Sequence, residues 1–272
     1  MITWIIASVS VLPTLILGSP VSPQVLLLFS LALTSVLAGV LAGTIGAGGI
    51  LLVTILYLMT ALTSAAVAGT SAAIFILGSI GGTIAYTRSG EMDWRMATAL
   101  GIGAFFGTRL GAEINLWLSE RLFRIALATA LIATGITIFY RELRGLSPRQ
   151  LVTMDSWQDY PLLIGSGVII GAMGGLFGVG GPLFAVPLLL LLGVSLLTAV
   201  AVGQTLAVLI TVSTTLIYLP LGGVNTTLVL INGPLFLIGT ILGWRLAHRI
   251  DKEWLKGLLG VVIIIVGGYL FV

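Results

Sequence analysis

Gly39-Val-Leu-Ala-Gly43-Thr-Ile-Gly46-Ala-Gly48-Gly49 returns as Gly171-Ala-Met-Gly-Gly175-Leu-Phe-Gly178-Val-Gly180-Gly181, 132 residues further on, and all five identities are glycines. Both copies interrupt an apolar segment. Backbone that leaves the helix at membrane depth is tolerated only where protein buries it or it lines a cavity. Glycine-broken hydrophobic segments at matching places in a duplicated chain point to the binding site of a secondary transporter. The stretch therefore predicts an all-α, polytopic membrane protein built from two repeats, each with a helix broken at its glycine cluster.

Composition leads to the same solvent. Of the 272 residues, 58% are hydrophobic and 8% are charged, against about 25% charged in soluble domains. Twelve basic and nine acidic side chains cannot cover a soluble fold of this size. The net charge of +3 is carried by loops between apolar segments and implies no nucleic-acid partner. Cysteine is absent, which excludes disulfides and thiol chemistry. No Lys or Arg precedes Arg88, so the basic n-region of a cleaved signal peptide is missing and a retained first span is expected.

Apolar segments run Ile2–Gly18, Gln24–Thr44, Ile50–Leu62, Ala65–Thr87, Trp94–Glu113 and Leu122–Tyr140, then Pro161–Gly178, Pro182–Leu192, Leu196–Leu219, Leu228–Ala247 and Trp254–Val272. This divides the chain into an added N-terminal helix (1–23), repeat 1 (24–140), a polar linker (141–160) and repeat 2 (161–272). A span needs about 20 residues, so the two short segments that follow the glycine clusters are either re-entrant or parts of broken helices. Gly69-Thr70-Ser71 aligns with Gly203-Gln204-Thr205 at an offset of 134, and Gly103–Leu110 with Gly239–Leu246 at 136, which implies small length changes between the halves. If every segment crosses, each half has five spans and the second is inverted. The basic residues then divide nine to three, against seven to five for parallel halves. The positive-inside bias favours inverted repeats in a cell membrane, with Met1 and the linker cytoplasmic and Val272 outside after eleven crossings.

A helix that begins at membrane depth offers unpaired N–H groups and a positive dipole end, and glycine lets a ligand approach the backbone. Pro182 suits a first helical turn, where its missing N–H costs nothing. Two such starts make an anion site without a buried cation. The substrate-binding candidates are Gly46, Gly48, Gly49, Gly178, Gly180 and Gly181, with Thr70, Ser71, Gln204 and Thr205 supplying neutral hydrogen bonds. Gly78, Ser79, Gly81, Gly82, Gly107 and Gly111 read as helix-packing positions.

These motifs resemble those of the TauE/SafE sulfite exporter family. The resemblance rests on Gly46-Ala-Gly48-Gly49, on Gly178-Val-Gly180-Gly181-Pro-Leu-Phe-Ala-Val186-Pro187, and on Gly69–Ser71. The Gly90-Glu-Met-Asp93-Trp94 turn and the two Gly-x-x-x-Gly-x-Arg-Leu segments share it, so it covers nearly the whole chain from residue 25. It implies a carrier that moves sulfite or another small sulfur-containing anion, often an organosulfonate, across the cytoplasmic membrane. The chain departs from the pattern at Thr54 and Ile55, which stand where the second half has Val186 and Pro187, and at Gln204, which stands where Thr70 predicts a threonine.

The remaining chemistry argues against an enzyme. No His, Cys or carboxylate cluster has metal-ligand spacing, no nucleophile has a nearby base, and no cofactor or metal is expected. His248, the sole histidine, lies among Arg245, Arg249 and Asp251 and reads as an interfacial residue. Arg109 and Glu113, four apart on a helix, are candidates for gating or coupling and can also neutralise each other. The expected partners are a small anion and the lipid bilayer; a coupling proton and a homo-oligomer are both compatible with the reading. The alternative function is a passive anion channel, since glycine-lined openings and positive helix ends serve channels too.

Overall fold

A computed structural model of the protein describes residues 23–143 and 159–250, with Trp254, Val261 and Gly268. The expected first span, residues 144–158 of the linker, and most of the last span lie outside the described residues. Helices α1 (Pro23–Ile45), α2 (Gly49–Met59), α3 (Ser64–Arg88), α4 (Trp94–Trp117) and α5 (Glu120–Leu143) make up the first half. The second contains α6 (Asp159–Phe177), α7 (Pro182–Leu191), α8 (Leu196–Tyr218) and α9 (Thr226–Ala247). There are no strands among the described residues. The molecule is an all-helical, multi-pass membrane protein.

Five of these helices are long and apolar enough to cross a bilayer: the Leu28–Ile45 part of α1, then α3, α6, α8 and α9. Helices α4 and α5 each have 24 residues but carry more charge, including Arg109 and Glu113 in α4 and Arg121 and Arg124 in α5. Helices α2 and α7 have 11 and 10 residues. At 1.5 Å per residue α2 reaches about 16 Å, half of a hydrocarbon core about 30 Å thick.

Four long helices begin on a side-chain cap that meets a backbone N–H three residues on. Thr63 accepts from Ala66, Asp93 from Met96, Ser195 from Thr198 and Asn225 from Leu228. Each cap satisfies one donor that the helix start leaves open. Thr63 and Ser195 are 132 apart, as are Asp93 and Asn225. Gly90 and Gly222, both at positive φ, keep the same spacing. So do Tyr86 and Tyr218: Tyr86 donates to Gly43 O at 2.6 Å, and Tyr218 lies 3.3 Å from Gly175 O.

The repeat offset is therefore constant at 132, which corrects the drift expected from sequence. Gly107 abuts Val168 O and Gly239 abuts Val36 O; Gly111 abuts Ala172 O and Gly243 abuts Val40 O. Both members of each contact move by 132 residues. A glycine repeated every fourth residue can be slid by one turn without losing its identities. The paired Arg-Leu dipeptides drew the alignment of Gly103–Leu110 into that false register. In the true one Gly69, Thr70 and Ser71 correspond to Ala201, Val202 and Gly203, while Gln204 and Thr205 correspond to Ala72 and Ala73.

The halves interlock. The most extensive contacts join α4 to α6 and α9 to α1, so the fourth helix of each half lies along the first helix of the other. Helices α3 and α8 cross between them. Both long seams are glycine seams. Gly39 and Gly43 face Gly239 and Gly243, with Gly39 Cα only 2.9 Å from where a Gly239 Cβ would stand. Gly103, Gly107 and Gly111 face Gly167, Gly171 and Gly175 across the backbone carbonyls of the opposing helix. A methyl group at any of these positions would meet backbone, so Gly107 and Gly111 are packing positions as expected. Lipid offers no hydrophobic drive between helices, and close backbone approach supplies the association. Gly78 lies against the Phe236 ring, Gly81 against Leu237 and Gly82 against the Gln204 side chain.

Candidate functional site

The two glycine breaks meet at the buried centre. Gly46, with φ +79°, closes α1 through its N–H to Ala42 O (3.2 Å). Gly178, with φ +67°, closes α6 through its N–H to Gly174 O (2.8 Å). Both occupy the left-handed position that ends helices and favours glycine. Gly46 faces Val186 and Pro182, whose Cβ lies 3.0 Å from where a Gly46 Cβ would stand, and Gly49 faces Val179 O. Gly178 rests on Ala68 of α3; Gly181 meets Leu206 and Ala207 of α8, and Pro182 Cα lies 3.1 Å from where a Gly203 Cβ would stand. All six candidate glycines are buried.

Past the turn the breaks differ. Gly48 is right-handed (φ −65°) and caps α2 with its Cα pressed on Ala38 and Ala42 of α1. Gly180 is left-handed (φ +77°), with only ordinary contacts to Thr211 and Ala207. Helix α7 starts one position later, with Gly181 as cap and Pro182 in its first turn. Neither Gly48 nor Gly181 can supply a side-chain cap, unlike the caps of α3, α4, α8 and α9. Leu51 and Phe184 donate to Gly48 O and Gly181 O, and Pro182 has no N–H, so the open donors at these starts are Gly49 and Ile50 of α2 and Leu183 of α7, none with a side-chain acceptor among the described residues.

Of the four polar candidates, two lie at the breaks. The Ser71 hydroxyl is 3.0 Å from Gly178 O, while also within reach of Val67 O and Ala68 O of its own helix. Gln204 Nε2 donates to Ala42 O at 2.7 Å, tying α8 to the end of α1. Thr70 is turned to the α8–α9 connection, where its Oγ1 accepts from Asn225 N (2.9 Å). Thr205 is half-buried, 3.5 Å from Met92 Sδ, and lines an outer apolar groove of about 410 Å³ between α4 and α8 with Trp94, Phe105 and Leu209.

Arg109 Nε donates to Glu113 Oε1 at 3.1 Å, and the two side chains are 80% and 55% exposed on the outer surface of α4. The pair closes on itself away from the breaks. Two residues with a stake in the site are not marked by any motif. Thr54, in α2, has a buried hydroxyl with no hydrogen-bond partner among the described residues. Asn115 donates from Nδ2 to Leu176 O (2.6 Å), holding the end of α6 just before its break. The constant 132-residue spacing is the signal that would have found the tyrosine pair; Asn115 has no such partner, because Ala247 occupies its equivalent position.

The family model for sulfite exporter TauE/SafE matches residues 31–270. The chain is 23% identical over 257 residues to the probable membrane transporter protein YunE of Bacillus subtilis (strain 168), covering 85% of this chain and 94% of that one. It is 28% identical over 179 residues to YdhB of the same organism, also named a probable membrane transporter protein, covering 64% and 71%. A probable membrane transporter protein of Xylella fastidiosa (strain Temecula1 / ATCC 700964) is 27% identical over 243 residues, covering 86% and 90%. No solved structure matches.

Proposed function

This chain belongs to the TauE/SafE sulfite exporter family, and we propose on that premise that it is a carrier for sulfite or a related small sulfur-containing anion, such as an organosulfonate. The observation that carries the proposal is the meeting of two helix starts, α2 and α7, whose glycine caps leave their N–H groups without side-chain acceptors at a buried centre. Helix N-termini of this kind attract anions through aligned N–H groups and the dipole. The neutral lining of Ser71 and Gln204 suits an oxyanion that must also leave, because no fixed cation holds it. Gly46, Gly48, Gly49, Gly178, Gly180 and Gly181 admit the anion to the backbone. Thr70 and Thr205 bear on it through the α8–α9 connection and the outer groove.

Transport in this reading is alternating access between inverted repeats. The exchange of α1 and α4 partners between halves suits a pair of interlocked units that rock about the α3–α8 crossing. The nine-to-three charge split supports a cytoplasmic N-terminus in a cell membrane. With the breaks in contact at Gly49 and Val179, the anion enters as α2 and α7 part. The Arg109–Glu113 pair acts only as a self-neutralised element on α4. The test is flux into liposomes of the purified protein with sulfite, thiosulfate, sulfate and methanesulfonate. Saturable uptake with counterflow of at least one sulfur anion is expected. Unsaturated conductance would favour a channel, and cation flux with no response to any of the four would remove the reading.

A further inference from the structure

A carboxylate–imidazole contact outside the breaks joins the two halves at one end of the molecule. Glu91 lies in the α3–α4 connection, its N–H donating to Tyr86 O at 3.3 Å. His248 is the C-cap of α9. Its Nδ1 is 2.8 Å from Trp244 O, and its Nε2 is 2.7 Å from Glu91 Oε1. A carbonyl oxygen can only accept, so Nδ1 carries a hydrogen. An ionised carboxylate also only accepts, and a neutral imidazole has a single N–H. The contact therefore requires one proton more than neutral imidazole and carboxylate bring. The enclosure is substantial: the side chains of His248 and Glu91 are 29% and 18% exposed, and Glu91 Oε2 is buried with no partner among the described residues. The C-terminal dipole of α9 favours a cation at this position.

We propose that Glu91 and His248 form the proton-binding site through which this carrier is coupled to a proton gradient. Loaded, the site clamps the α3–α4 connection of the first half to the end of α9 in the second. Unloaded, the single N–H of the neutral ring must serve either Trp244 O or the Glu91 carboxylate, so one of the two contacts loses its hydrogen and the clamp weakens. Its path to the glycine break is short. The Tyr86 ring is 5.9 Å from that of His248, and the Tyr86 hydroxyl donates to Gly43 O, three residues before the left-handed Gly46. Trp244 donates from Nε1 to Ser89 Oγ (3.1 Å), and its backbone N is 2.9 Å from where a Gly43 Cβ would stand. At the pseudo-equivalent end Tyr218 repeats the tyrosine contact at Gly175, yet Gly223 and Leu116 replace Glu91 and His248. The proton site belongs to one end only, which gives coupling a direction.

Among the described residues the other ionisable groups around the pair are few. Helix α1 offers none. From α3 come Tyr86 and Arg88, from the connection Asp93, which is engaged with Met96 N, and from α9 and its end Arg245 and Arg249. The three arginines are exposed, and none forms a salt bridge with Glu91 among the described residues.

The coupling role rests on the carrier reading, but the proton does not, so the two are tested separately. His248 is the sole histidine, so ring-¹⁵N-histidine protein, purified through a histidine-free tag into nanodiscs, reports one imidazole. Its NMR signals should pass from doubly to singly protonated at a pH at least about one unit lower in Glu91→Gln than in wild type, a tenfold loss of proton affinity of the size an adjacent opposite charge confers. Equal titrations would overturn the site. In pyranine-loaded liposomes with a methanesulfonate gradient, whose anion stays ionised over the range, wild type should move protons with the anion. The proton-to-anion ratio should fall to background in Glu91→Gln and in His248→Gln. An unchanged ratio would overturn the coupling role even if the NMR titrations differ. If methanesulfonate does not flow in wild type, the ratio is read with thiosulfate or sulfate; absence of flux of all four anions would instead strike the carrier reading and leave the proton site to the NMR result.

Discussion

At residues 46–49 the chain turns on one left-handed glycine and starts α2 flat against its own α1; at residues 178–181 it turns on two and enters α7 through a proline. The polar supply is also unequal. The first half contributes Ser71 where the second has Gly203, and the second contributes Gln204 where the first has Ala72. The halves share much of a skeleton, with the caps of α3 and α8 and of α4 and α9 at matching positions, but the centre is asymmetric. A backbone site needs two helix starts; it does not need them to be the same. The first break is fixed by backbone contact and the second by conformation, and substitutions should separate the two.

The largest effect is expected at Gly48. A Val side chain there meets Ala38 O and Ala42 N of α1, neither of which can yield, so Gly48→Val should lose nearly all folded, monodisperse protein in detergent chromatography. Gly180→Ala meets only ordinary van der Waals neighbours but must hold φ +77°, which costs a non-glycine residue about 1–2 kcal/mol. It should fold, with reduced flux. Equal yields for the two variants would erase the distinction between the breaks. Next in size, Gln204→Ala leaves Ala42 O unpaired in a buried site and opens space beside Gly82. It should destabilise by about 1–3 kcal/mol, read as a lower midpoint of thermal unfolding. Ser71→Ala should cost less, about 0.5–1.5 kcal/mol, because its hydroxyl already reaches carbonyls of its own helix.

Thr54→Val tests the contrast from the other side, since it installs the residue that the second half carries at Val186. The Thr54 hydroxyl is buried without a partner among the described residues, so its removal should leave the unfolding midpoint unchanged or raise it. If this hydroxyl serves the anion, KM for transport should rise several-fold with the fold intact; an unchanged KM would take Thr54 out of the site. Smallest of all, Arg109→Gln paired with Glu113→Gln should shift stability by less than about 1 kcal/mol, the usual scale for an exposed i,i+4 pair. A collapse of flux in the well-folded double variant would restore the pair to a gating role.

Much of this was legible in the chain. The glycine clusters, the short helices after them and the segment boundaries could be read because they are local: glycine and apolar run length act within a turn or two. Register and partners were not. Four-residue glycine spacing is blind to a one-turn slip, so Gly103–Leu110 was matched one turn out. Glu91 and His248 are 157 positions apart, and nothing in either neighbourhood announces that α9 ends beside the α3–α4 connection. Thr205 illustrates a third kind of difference. Its neighbours in sequence placed it with Gln204, but adjacent helix residues point about 100° apart, and Thr205 faces the outer groove.

The interlocked seams also set a timetable. Gly107 waits only 61 residues for Val168, whereas Gly39 waits 200 for Gly239. At the usual pace of synthesis, about 5–20 residues per second, the α1 glycine stripe stands in the bilayer without its mate for on the order of 10–40 s, against about 3–12 s for the α4 stripe. During that interval a bare helix-packing surface is open to any other nascent helix within reach. The first repeat is thus a guest that must be kept from strangers until the end of its own chain emerges, and the ribosome's speed becomes one of the conditions under which this fold is reached.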